Sequence, residues 1–203
     1  MNKTTFFLNA LLMMFLFIPA IVSATPPDIG KPAPDFTLHD VDGKAVKLSD
    51  FKGKIVVLEW INEGCPFVKG HYENGHMPSL QQKYTKQGIV WLTINSTRPD
   101  NPEAYNAAQS KEILAKWHAH STANLMDEDR TVGHLYEAKT TPHMFVIDKD
   151  GSLRYQGAID DDRSAGGGKK ATVNYVTQAL DALIAGKEVA TTTTKSYGCS
   201  VKY

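Results

Sequence analysis

An α/β sandwich with a mixed central sheet, helices on both faces and an N-terminal β-hairpin is the fold class that the sequence predicts. Three observations carry it. Ile55–Trp60 and Ile89–Ile94 are unbroken, largely β-branched apolar runs, the pattern of strands covered on both faces. Each leads into a stretch with helical spacing of apolar residues, which places helices between strands. Met144–Asp148 and Leu153–Gly157 flank Lys149-Asp150-Gly151, a strand, turn and strand.

The elements follow in order. Phe36, Leu38 and Val41 precede Asp42-Gly43, and Val46 and Leu48 follow it, which reads as the N-terminal hairpin. From Pro66 to about Lys86 the pattern is helical, with Pro78 expected to kink it and Gly88 to end it. A second helix is expected from Pro102 to about Ala119, a short strand at Ala123–Met126 and a short helix at Arg130–Tyr136. Asp160–Lys170, with three Asp and three consecutive Gly, reads as a mobile, solvated loop. Ala171–Ala185 is amphipathic through Val173, Val176, Leu180 and Leu183, and Gly186 stops it. Residues 187–203 show no helical period.

The 203 residues suit one ordinary domain, and 42% hydrophobic with 22% charged residues exclude disordered, collagen-like and coiled-coil classes. With 22 basic and 22 acidic residues there is no excess of positive charge for phosphates, so nucleic acid is not an expected partner. Two cysteines exclude a disulfide-dense scaffold and permit at most one internal bridge. A Lys near the start, the apolar Phe6–Ile18 and the small residues Val22-Ser23-Ala24 form a secretory signal pattern over residues 1–24. Removing Lys3 with it leaves 21 basic against 22 acidic residues, a net charge of −1. The expected organisation is a signal peptide at 1–24, one domain at 25–186 and a tail at 187–203 carrying Cys199. Export to a periplasm or beyond is expected, with release from the membrane on cleavage after Ala24, or with an uncleaved anchor reaching Val22 as the alternative.

Cys65 stands where a buried strand turns into a helix. Pro66 suits the first helical position because it has no N–H to lose, which makes Cys65 the N-cap. Unpaired backbone donors and the positive end of the helix favour an anionic thiolate there, with Lys69 one turn on able to add charge. Such a thiolate attacks disulfides or peroxides. A small buried side chain without chemistry is the other reading of a lone Cys.

The Trp60 strand end, Cys65-Pro66 at a helix start and Thr141-Pro142 before Phe145-Val146-Ile147-Asp148-Lys149-Asp150-Gly151 together resemble the redoxin and alkyl hydroperoxide reductase/thiol-specific antioxidant group. Ile29–Leu38 and Leu48–Lys54 resemble it as well. The likeness covers about Ile29 to Ala185 and implies a thioredoxin-like three-layer sandwich. It implies that Pro142 is a cis-proline packed against the active cysteine, with the Thr141 backbone offered to a bound peptide or thiol. No cofactor is expected.

The chain also departs from that group. Val68 stands where a thioredoxin-type reductase has its second Cys, and Leu58 and Asn62 stand where a peroxiredoxin has its Pro and Thr. No Arg lies at the position expected beside a peroxide. Asn62 is a candidate hydrogen-bonding substitute for that Thr. A lone reactive thiol needs a partner to complete a cycle, and Cys199 is available: the roughly 13 residues after Gly186 can span about 40 Å. Three roles stay open for it: a resolving thiol, a permanent structural bridge with Cys65, or a free or intermolecular thiol.

Glu59 and Glu63 flank the strand end, and Glu63, in the loop with Cys65, is the preferred candidate for moving protons. His71 and His76 are five apart and His118 and His120 two apart, spacings that share no helical face, so surface histidines rather than metal ligands are expected. His143, next to Pro142, sits near the sulfur or on a strand face. Asp160, Asp161 and Asp162 only loosely resemble a calcium cluster.

The candidate catalytic residues are therefore Cys65, Cys199, Pro142, Thr141 and Glu63. The expected function is an exported thiol-disulfide oxidoreductase or thiol peroxidase acting on a protein disulfide or a peroxide with a separate electron donor. The alternative is a non-catalytic thioredoxin-like binding or scaffold domain with a structural Cys65–Cys199 disulfide.

Overall fold

A computed structural model describes residues 27–203. The signal peptide expected at residues 1–24 lies outside them, and among the described residues no helix is long and apolar enough to cross a membrane.

Among the described residues nine strands and five α-helices follow one another. They are β1 (Thr37–Asp40), β2 (Ala45–Lys47), β3 (Val56–Trp60), α1 (Pro66–Glu73), α2 (His76–Thr85), β4 (Val90–Asn95), α3 (Ala107–Lys116) and β5 (Ala123–Met126), then α4 (Thr131–Leu135), β6 (Thr140–Thr141), β7 (His143–Ile147), β8 (Leu153–Gly157), α5 (Tyr175–Ile184) and β9 (Cys199–Ser200). The main sheet has the order β2-β1-β5-β4-β3-β7-β8. β3 runs parallel to β4 and antiparallel to β7, so the sheet is mixed, as predicted.

The two apolar runs became its centre, and every residue of β3 and β4 is buried. Because side chains alternate across a strand, Val57 and Trp91 enter one core with Val146, while Val56, Leu58, Trp60, Leu92 and Ile94 enter the other. The first core is covered by α1, α2, α5 and the end of α3 through Val68, Tyr72, Leu80, Tyr84, Leu114, Val176 and Leu180. The second is covered by α4 and the N-terminal hairpin through Val132, Phe36, Leu38 and Val46.

Three expectations are corrected. The helix expected over residues 66–86 is two, because the chain breaks at Asn74-Gly75, where Gly75 takes the left-handed φ of 79°. Pro78 then lies in the first turn of α2, where its missing N–H costs no bond, and it makes no kink. The 160–170 segment is packed against α1 rather than mobile and solvated: Asp160 and Asp162 are buried, and Asn74 Nδ2 donates to the carbonyls of Gly166 and Gly167 at 3.1 and 2.8 Å. Asp161 and Asp162 spend their carboxylates on backbone N–H groups of residues 164–173, which folds the loop on itself. The tail, aperiodic in sequence, docks on the domain through backbone bonds between Gln156 and residues 192 and 194 and through the β6–β9 pair.

Candidate active site around Cys65

The site lies beyond the carboxyl ends of the parallel strands β3 and β4, where side chains of an open α/β sheet are free to converge. Cys65 is the N-cap of α1 and Pro66 its first residue, as the sequence predicts. The preceding loop is held from several sides. Asn62 Oδ1 accepts from the Gly64 N–H at 2.8 Å, and Asn62 Nδ2 donates to Thr97 Oγ1 at 2.8 Å and to the Glu103 carbonyl at 3.0 Å. Asn62 thus anchors the loop and is not a hydrogen-bond partner of the thiol. Trp60 is core wall, its Nε1 donating to Ser96 Oγ at 3.0 Å.

Cys65 Sγ is 3.0 Å from the Thr141 carbonyl oxygen and 2.8 Å from Cys199 Sγ. Both cysteines are free thiols. The Thr141–Pro142 bond is cis, as the family likeness implies. The arrangement of Cys199 comes from a short antiparallel ladder in which Thr141 pairs with Cys199 and Thr140 with Ser200. The tail therefore occupies the Thr141 backbone expected to receive a bound peptide. Gly198 makes this approach possible: its φ is 126°, and a Cβ there would stand 2.2 Å from the Thr141 carbonyl oxygen.

The tail also covers the nucleophile candidate. Cys65 is 1% exposed, and Tyr197 packs on Phe67 with ring centroids 6.1 Å apart. Burial first, and then the bond to Cys65, push the Cys199 thiol up to about 12, so Cys199 holds its proton. Lys69 points along its helix toward Glu73, 4.0 Å away.

Glu63 differs from expectation. Its carboxylate makes no hydrogen bond with Cys65 and accepts instead from Asn95 Nδ2 at 2.8 Å and from Ser110 Oγ, which tie the Cys65 loop to β4 and α3. Burial raises its carboxyl above the usual range. Glu59 is enclosed too, accepting from Tyr72 Oη at 3.0 Å, Trp91 Nε1 at 2.7 Å and Gln81 Nε2 at 3.2 Å, and burial lifts it to about 7. His143 lies on β7 with Nδ1 accepting from the Lys139 N–H at 3.2 Å, and burial lowers it to about 4. The sequence reading did not single out Gly198 or Tyr197, although a Tyr-Gly-Cys run in an otherwise polar tail was the available signal.

Residues 29–156 match the AhpC/TSA family. The chain belongs to the AhpC/TSA family. The matched segment contains Cys65 and Pro142 and stops before the tail of this AhpC/TSA protein. Thiol-disulfide oxidoreductase ResA of Geobacillus kaustophilus (strain HTA426) is 30% identical over 126 residues, which are 62% of this chain and 67% of that protein. A hypothetical protein from Sinorhizobium meliloti 1021 is similar over 87% of this chain and 94% of its own, with a TM-score of 0.78 and 29% identity. A protein described as thiol:disulfide interchange protein DsbE from Chlorobium tepidum matches 64% of this chain and 84% of its own, with a TM-score of 0.52 and 28% identity. The fold is thus thioredoxin-like, as the sequence resemblance implied.

Proposed function

We propose that this AhpC/TSA-family protein is an exported thiol-disulfide oxidoreductase in which Cys65 is the nucleophile and Cys199 the resolving thiol. The observation that carries the reading is the 2.8 Å separation of the two sulfurs, set by a β-ladder from an element 134 residues away in sequence. Relatives named thiol-disulfide oxidoreductase support the substrate class, and the leader pattern at residues 1–24 supports export.

The cycle balances with two protein thiols. Cys65, as thiolate, attacks one sulfur of a substrate disulfide, forming a mixed disulfide and expelling the other substrate sulfur as a thiolate. Cys199 then loses its proton to that departing thiolate and attacks Cys65 Sγ. The mixed disulfide breaks, the Cys65–Cys199 bond forms and the second substrate sulfur leaves, so the substrate gains two electrons and the protein loses them. A dithiol donor returns the pair to the reduced state. The buried Cys65 requires the tail to lift before attack and to return for resolution, and the Thr141 backbone freed in between is the strand edge a peptide can use. Glu63 acts as a positioning residue for the Cys65 loop.

The test is a paired assay of the purified protein with dithiothreitol, following insulin disulfide reduction and hydrogen peroxide consumption side by side. Insulin reduction that Cys65→Ser abolishes is expected. Peroxide consumption alone would replace the reading by a thiol peroxidase, and inertness toward both would leave the scaffold alternative.

A further inference from the structure

The break between α1 and α2 has a consequence for two histidines that helical spacing keeps apart. His71 lies in the last turn of α1 and His76 opens α2, and the left-handed Gly75 between them turns the chain so that the rings face each other, with Nδ1 atoms 2.9 Å apart. Asp160, after β8, joins them: one imidazole nitrogen of each histidine and a carboxylate oxygen lie within 4.8 Å of one another. His71 and Asp160 are each 1% exposed, and His76 is half-buried.

The hydrogen bonds orient these donors. Tyr197 Oη donates to Asp160 Oδ1 at 2.6 Å, so the contact of 3.1 Å between Tyr197 Oη and His71 Nε2 has the imidazole N–H donating. His71 Nδ1 is then a lone pair directed at His76. Asp160 Oδ2 is buried and has no hydrogen-bond partner, an unusual condition for a carboxylate oxygen. It faces the histidines across a small space: a Cβ on Gly168 would stand 2.6 Å from Asp160 Oδ2 and 2.8 Å from His76 Nδ1. Gly167 lets the same loop pass close to the Gly70 carbonyl, whose oxygen a Cβ on Gly167 would meet at 2.1 Å. The loop that roofs the cluster is therefore built of glycines where a side chain would fill it.

We propose that His71 Nδ1, His76 Nδ1 and Asp160 Oδ2 form a binding site for a divalent cation of imidazole preference, with Zn²⁺ as the best fit. Two imidazoles and a carboxylate, each reaching about 2.0–2.2 Å from one ion, make a three-ligand set that leaves a fourth position for water. Without metal, His76 Nδ1–H donates to His71 Nδ1, and its Nε2 accepts from Asn174 Nδ2 at 3.4 Å. Ligation moves that one proton from Nδ1 to Nε2 of His76 and requires no redox partner. The Tyr197 hydroxyl holds both a ligand ring and the ligand carboxylate from outside, the place such partners take around bound metals. Tyr197 is two residues before Cys199, so the ion also fastens the tail to the domain.

The test uses the full chain carrying Cys65→Ser and Cys199→Ser, because a pair of thiols would itself take up zinc. Zn²⁺ is titrated in competition with a chromophoric chelator, and the ligand atoms are read by X-ray absorption. The expected result is one Zn²⁺ per chain with a dissociation constant below about 1 μM, nitrogen and oxygen ligands, and at least 100-fold weaker binding in His76→Ala. His76→Gln gives the same loss if His76→Ala fails to fold, and His118→Ala leaves binding unchanged. Binding that survives both His76 variants, or no stoichiometric binding in the parent, overturns the proposal and leaves the three residues as a hydrogen-bond cluster.

Discussion

Gly198→Ala separates the position of Cys199 from its chemistry, since it alters neither sulfur. The new Cβ would lie 2.2 Å from the Thr141 carbonyl oxygen and 2.8 Å from its carbon, against an ordinary contact beyond 3 Å, so β9 must retreat by about 1 Å. The residue must also keep a φ of 126°, which L side chains rarely adopt. Strain of this kind costs about 1–3 kcal/mol. In the reduced protein the tail escapes the strain by undocking, whereas the Cys65–Cys199 bond forces it to dock. The cost therefore falls on the oxidised form and weakens ring closure by about 5- to 150-fold. For a two-electron couple that raises the reduction potential by about 20–65 mV. Equilibration in glutathione buffers, acid quenching and mass-tagging of free thiols measures it. Gly53→Ala is the control, with a similar left-handed φ of 85° and no atom within 4 Å of its Cβ. A folded Gly198→Ala protein whose potential matches that control would refute the claim that the ladder sets the resolving geometry.

Three further outcomes follow from named groups. Tyr197→Phe removes the donor to Asp160 Oδ1 and the acceptor of His71 Nε2, so urea unfolding should show a loss of about 1–3 kcal/mol and limited proteolysis should cut the tail sooner. Glu59 holds its proton up to about pH 7 when folded against 4.5 as reference, so its contribution is complete below about pH 4.5 and is lost as the pH rises through about 7. That difference corresponds to about 3 kcal/mol, and Glu59→Gln should make the fall in unfolding free energy between pH 5 and pH 8 measurably shallower than in the parent. Cys199, whose thiol burial raises even without Cys65, should be alkylated in the folded, reduced Cys65→Ser protein more slowly at pH 8 than in the same protein in denaturant.

The sheet was legible because its signals are local. Ile55–Trp60 and Ile89–Ile94 need no partner to announce a buried strand, and Cys65-Pro66 marks a helix start within two residues. The helix break was legible in principle: Asn74-Gly75 is a turn signal, and the helical spacing of Met77, Leu80 and Tyr84 masked it. The 160–170 loop was misread because acidic residues and glycines signal solvent only when their carboxylates find no backbone donors, and these find them across the loop. Cys199 was legible as a candidate through its number alone. Its ladder with Thr141 has no periodicity to betray it, since a two-residue pair is fixed by tertiary approach and by the absence of a side chain at Gly198. The meeting of His71, His76 and Asp160 required both the helix break and the loop, so no spacing rule along the chain would find it.

The central claim is that Cys65 attacks and Cys199 resolves, and single-turnover disulfide mapping tests it most directly. Reduced protein mixed with one equivalent of a disulfide peptide, quenched in acid and mapped by mass spectrometry, should carry a Cys65–Cys199 bond, and Cys199→Ser should accumulate the peptide on Cys65. Peptide trapped on Cys199 in Cys65→Ser at the wild-type rate, or a wild-type product without the internal bond, would contradict it.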